Sequence, residues 1–137
     1  MSMRRYAVVD TGLLLIENTP EFNYFLKKVK EKWLEEGEKV EGKIDIFDLV
    51  DIDDVEVIDQ DYCCYFTTVN PSQLEGNIYE NSVLLRIDTP SFTDFLSGET
   101  MTKEEFINNC KEVWGDYLPN DFNYETSSGE ALWTMIG

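Results

Sequence analysis

Histidine is absent from this chain, which removes the commonest general base, Ser-His and Cys-His catalysis, and every His-dependent zinc site. Any catalytic reading would have to run on carboxylates. Cysteine is scarce. Cys63 and Cys64 are chain neighbours, a poor geometry for a disulfide, and Cys110 falls on the apolar stripe of a predicted helix, so the three cysteines read as buried thiols in a reducing compartment. No apolar run approaches the roughly 18 residues needed to span a bilayer. The segment Met1 to Tyr6 lacks the pattern of a signal peptide, and a cytoplasmic location is expected. A Gly-Lys-Ser/Thr phosphate loop, a dinucleotide-type glycine pattern and paired-cysteine zinc spacing are all missing, so no cofactor and no metal site is expected.

Basic residues are also scarce, and unevenly so. Residues 1–43 carry eight basic and eight acidic side chains, whereas residues 44–137 carry only Arg86, Lys103 and Lys111 against twenty acids, which together give a formal net charge of −17. Such a field repels nucleic acid and anionic lipid and draws in basic protein surfaces by fast, salt-sensitive association. The expected partner is therefore a basic surface of another protein.

What the chain does have is a core. A hydrophobic fraction of 42% and an aromatic fraction of 13% are those of a packed globule, and 137 residues are the usual size of one domain. Arg5 to Val9 and Leu13 to Glu17 are expected as a hairpin turning at Asp10-Thr11-Gly12. Thr19 as N-cap and Pro20 as first helical residue open a helix whose apolar stripe is Phe22, Phe25, Leu26, Val29, Trp33 and Leu34, ending at Gly37. Cys63 to Val69 and Asn77 to Ile87 read as strands. A short helix is predicted from Pro90 to Leu96, then a second long one from the Thr102/Glu105 capping box, with Phe106, Ile107, Cys110, Val113, Trp114 and Tyr117 on its stripe. Phe122 to Thr126 and Ala131 to Ile136 read as a closing hairpin. The fold class expected is a single α+β domain, an antiparallel or mixed sheet carrying two principal helices at about 19–36 and 102–117. A weak internal echo relates Leu14-Leu15 with Thr19-Pro20-x-Phe22-x-x-Phe25-Leu26 to Leu84-Leu85 with Thr89-Pro90-x-Phe92-x-x-Phe95-Leu96.

The stretch from Ile44 to Asp61 is the most unusual. It holds Asp45, Asp48, Asp51, Asp53, Asp54, Glu56, Asp59 and Asp61 and no basic residue. Apolar residues alternate with acids in Ile44-Asp45-Ile46 and Val55-Glu56-Val57, consistent with one or two strands bearing a carboxylate face, and a helical turn around Ile46 to Val50 is an alternative. On a strand, alternate carboxylates stand about 6.6 Å apart, a regular row that a groove built for a phosphate backbone would accept. These eight residues are the expected partner-binding site of a non-catalytic acidic protein. In physical class it resembles the nucleic-acid mimics that phages and mobile elements use against restriction enzymes and CRISPR effectors. An immunity protein facing a basic toxin would present the same charge. The run does not match an EF-hand, since Asp51-x-Asp53 lacks the later Asp or Asn, the Gly and the terminal Glu.

Ala7-Val8-Val9-Asp10-Thr11-Gly12 resembles the catalytic triplet of retroviral-type aspartic proteases, which implies that Asp10 would pair with its equivalent across a dimer. The match spans six residues. Leu follows Gly12, a long helix stands where that family has strands, and no glycine-rich flap is present. With Leu14 the same segment resembles the opening of PIN-type nucleases, which implies a metal-dependent site built on Asp10 and later acids, although no later motif of that family follows. A plain turn accounts for Asp10-Thr11-Gly12 without chemistry.

Overall fold

A computed structural model of the chain describes residues 5–40, 42–59, 64–69, 75–88 and 102–136. Six antiparallel strands form one sheet in the order β2-β5-β1-β6-β3-β4. They are β1 (Arg5–Ile16), β2 (Val55–Ile58), β3 (Cys64–Thr68), β4 (Glu75–Ile78), β5 (Ser82–Arg86) and β6 (Ser128–Ile136). Among the described residues three helices accompany them: α1 (Pro20–Glu35), α2 (Lys103–Trp114) and the single turn α3 (Tyr124–Ser127). The class is α+β.

Both principal helices start where their caps dictate. The Phe22 N–H donates to Thr19 Oγ1 at 3.3 Å with Pro20 behind it, and the Glu105 N–H donates to Thr102 Oγ1 at 3.2 Å. Each such cap stabilises a helix end by about 1 kcal/mol. The buried stripes then follow helical spacing, Phe22, Phe25 and Val29 on α1 and Phe106, Cys110 and Trp114 on α2. They close over Leu13 and Leu15 of β1 and Val83 and Leu85 of β5, forming the larger core. Burying a side chain of this size contributes roughly 1.5–3 kcal/mol. Trp114 also donates its indole N–H to the Arg86 carbonyl at 2.9 Å, which fixes the end of α2 against the end of β5.

The opposite face of the sheet is apolar too. Leu14, Ile58, Cys64, Phe66, Ile78, Leu84 and Ala131 form a second buried cluster with a member on every strand. Strict alternation along β1 explains it, since Leu13 and Leu15 point to the helices and Leu14 to the other side.

The expected hairpin at Asp10-Thr11-Gly12 is instead the middle of one twelve-residue strand. Gly12 lies in the strand with φ 157°, a value that residues with a side chain rarely adopt, and it also permits close approach. It pairs with Arg86 on β5 and with Gly129 on β6, and Gly129 in turn pairs with Thr68 on β3. A Cβ on Gly12 would lie 2.0 Å from the Leu85 carbonyl oxygen, and one on Gly129 would lie 2.1 Å from that of Thr67. Two glycines in one row thus allow four strands to draw together where side chains would hold them apart.

Two more expectations change, while the acidic stretch forms the helical turn given as the alternative at Ile46 to Val50 and one of its expected strands. Asn77 to Ile87 is two strands, β4 and β5, which sit four places apart in the sheet. The tail is the turn α3 followed by the single strand β6, with Asn123 capping the turn, so the closing hairpin is absent. Ile44-Asp45-Ile46 runs into a 3-10 turn, Ile46–Leu49, and leaves Val55-Glu56-Val57 as the only strand of the acidic stretch among the described residues. The helix expected at Pro90 to Leu96 lies outside the described residues. The internal echo has one visible counterpart, for Leu14 pairs directly with Leu84 and Leu13 with Leu85 in the register that a local twofold would give.

Candidate functional site: an exposed acidic edge and an inward carboxyl pair

The acids of the Asp45–Asp61 run separate into two environments. Asp45, Asp48, Asp51, Asp53 and Asp54 are all exposed, on a segment that connects α1 to β2 without entering the sheet. Its shape is set by local hydrogen bonds. The Phe47 N–H donates to Asp45 Oδ1 at 2.9 Å and the Asp45 N–H donates to Asp48 Oδ2 at 2.8 Å, a reciprocal capping box on the 3-10 turn. Ile46 and Leu49 anchor the turn in the core. Their neighbours Phe47 and Val50 point outward, 53% and 57% exposed. Asp54 closes the segment with φ 64°, a left-handed conformation that a short polar side chain tolerates, and its carbonyl accepts from the Arg86 N–H at 2.8 Å.

The regular strand row of carboxylates is therefore not formed. Asp45 and Asp48 belong to the 3-10 turn and Asp51, Asp53 and Asp54 to the turns that follow it, with exposed Phe47 and Val50 on the same segment. Asp59 is half-buried and engaged in an interaction of its own. Asp61 lies outside the described residues.

Glu56 is the exception within the run. On β2 it shares a sheet face with Asp10 of β1 and Arg86 of β5, as the registers Glu56 with Leu84 and Gly12 with Arg86 require. Arg86 Nε lies 3.2 Å from Asp10 Oδ1, and Nη1 lies 3.3 Å from Glu56 Oε1. The side chains are 14% exposed for Asp10, 28% for Glu56 and 43% for Arg86. Burial pushes the Glu56 carboxyl up from an ordinary 4.5 to about 7; a hydrogen bond with Asp10 and the charge of that neighbour add to the rise, and Arg86 opposes it. The Glu56 carboxyl can hold a proton near neutral pH, and its contacts with Asp10 and Arg86 tie the edge strand β2 to the centre of the sheet.

Composition drew attention to Arg86 only as a rare late cation, and Asp10 stood out only through its resemblance to protease and nuclease motifs. Their meeting with Glu56 is a matter of strand order. Strand parity marks Glu56 and Arg86 as face residues once the sheet is known, but nothing local in the sequence brings the three together. The placement of Asp10-Thr11-Gly12 also departs from the aspartic-protease pattern, in which the triplet stands on a loop: here Thr11 donates its hydroxyl to the Ile87 carbonyl at 3.3 Å and accepts the Ile87 N–H on its own carbonyl at 3.0 Å, inside the sheet. Among the described residues no group of three or more Cys, Asp or Glu side chains is arranged to hold a metal ion, and no helix is long and apolar enough to cross a membrane. Comparison with protein-family models, with curated proteins and with solved structures finds no match to this chain.

Proposed function

We propose that this chain is a non-catalytic acidic binding protein that occupies a basic, nucleic-acid-binding-type surface on a partner protein, in the physical class of the anti-restriction and anti-CRISPR inhibitors. The observation that supports this reading best is the connection between α1 and β2, where five exposed carboxylates share one short segment with the exposed side chains of Phe47 and Val50. Protein interfaces are commonly built in this way, with apolar or aromatic anchors at the centre and charge at the rim. The rim charge here is of one sign, and the excess of −17 steers a basic partner over distances beyond contact. Charge alone would serve solubility. Two large apolar side chains exposed on the same segment as that charge cost solubility, and their exposure favours an interface.

The reading requires that binding compete with nucleic acid. Capture from host-cell lysate at low salt, with partners identified by mass, should return a nucleic-acid-handling protein that is released by added salt and displaced by added DNA or RNA. A variant combining Asp51→Asn, Asp53→Asn and Asp54→Asn with Phe47→Ser should fold, since all four side chains are exposed and surface changes usually stay within about 0.5 kcal/mol each. It should lose the partner. A partner that ignores both salt and this variant, or the recovery of no nucleic-acid-handling protein, overturns the proposal.

A further inference from the structure

A groove of about 640 Å³ lies beside the acidic edge, between the C-terminal half of α1 and the Asp48–Asp53 segment. Its floor is aromatic. Trp33, Trp114 and Tyr117 line it, with Phe25 beneath; the Phe25 and Trp114 ring centroids are 6.2 Å apart, and those of Trp114 and Tyr117 are 5.6 Å apart. Its walls are acidic on both sides, with Asp48, Asp51 and Asp53 facing Glu36 and Glu38. One cation of the chain already uses this chemistry, as the Lys32 ammonium sits 4.8 Å from the centre of the Tyr117 ring within the same groove.

We infer that this groove receives an arginine side chain from the basic surface of the partner. An apolar ligand would fit the floor and leave the carboxylate walls uncompensated, and a metal ion would use the walls and leave the aromatic floor idle. A guanidinium uses both. It is flat and weakly hydrated, stacks on aromatic faces, and presents a fork of N–H donors that carboxylates accept in pairs. Lysine would satisfy the walls as a point charge but would stack less well, so the groove discriminates between the two cations. Lys32 is the internal competitor, holding the ring that an incoming guanidinium would use.

This inference rests on the proposed function for its occupant, but a peptide tests it separately. N-acetyl tetra-arginine, titrated into the full chain, should give a saturable shift of the Trp33 indole signal in NMR, assigned with Trp33→Leu. The citrulline peptide, of the same shape but uncharged, should give none, and tetra-lysine should bind several-fold more weakly. The pair Asp51→Asn and Asp53→Asn should raise the Kd about tenfold, the scale of one good charge-assisted contact. Lys32→Ala should lower it about threefold by freeing the ring, a gain that a damaged fold could not produce. Lys27→Ala makes the same change of charge outside this groove and should have a smaller effect. Equal effects of the two lysine variants, equal binding of the arginine and lysine peptides, or shifts confined to residues near Phe47 overturn the groove. A salt-sensitive partner captured equally by wild type and Trp33→Leu would leave the proposed function standing and reject the groove. Peptide binding as expected, with no nucleic-acid-handling partner, would do the reverse.

Discussion

Asp51 and Glu56 are close in sequence and carry the same functional group, yet the structure uses them in opposite ways. Asp51 stands on a connecting turn in water with other acids around it, whereas Glu56 lies within a strand, turned toward Asp10 and Arg86. In water a carboxylate keeps its charge at little cost and its field reaches outward. At a half-buried position the same group needs a partner or a proton, and this sheet supplies both. A run of eight acids is therefore not one feature. Where the chain leaves the sheet the acids form a surface, and where it joins the sheet an acid becomes part of the strand-to-strand attachment.

The sharpest way to break that contrast is at the row of glycines that sets the position of β1 against β5. Gly12→Ala should destabilise the protein by about 3 kcal/mol or more, because its Cβ would meet backbone that cannot rotate away; chemical denaturation measures this, and a loss below about 1 kcal/mol would show that the row tolerates side chains. On the exposed side, Asp45→Ala should cost about 1 kcal/mol through loss of the cap on the 3-10 turn, with Asp45→Asn recovering most of it in thermal melts. The buried side is tested by pH. Glu56 has a folded value raised to about 7 from an ordinary 4.5, so its contribution is most favourable below about 4.5 and is lost as the pH rises through about 7. Glu56→Gln should flatten this part of the Tm-against-pH curve, leaving the variant relatively more stable at pH 8 than at pH 5. Indistinguishable curves for wild type and Glu56→Gln would mean that Glu56 stays charged throughout.

Much of the helical layer was legible because its signals are local. A Thr-Pro start with Phe22, Phe25 and Val29 spaced behind it permits one favourable arrangement, and Thr102 with Glu105 marks the second start just as directly. The strands were less legible. Asp10-Thr11-Gly12 carries the residues of a turn, and only contact with β5 and β6 shows that Gly12 is there for lack of a side chain. The break between β4 and β5 falls at Glu80-Asn81, polar residues that are poor strand formers, but that the two strands part company comes from pairing with β3 on one side and with β1 and β2 on the other.

For the site, composition alone establishes which residues are acidic, that no basic residue interrupts the run from Asp45 to Asp61, and that only three basic residues stand against twenty acids after Lys43. Those are properties of composition, and folding does not alter them. The tertiary structure decided which carboxylates face water, which one meets Asp10 and Arg86, and that Asp48, Asp51 and Asp53 line a groove floored by Trp33 and Tyr117. Each of those outcomes depends on elements distant in the chain being brought together by burial of apolar side chains. Hydrophobic burial is non-directional, and the order and register in which strands satisfy it are not written in any single segment.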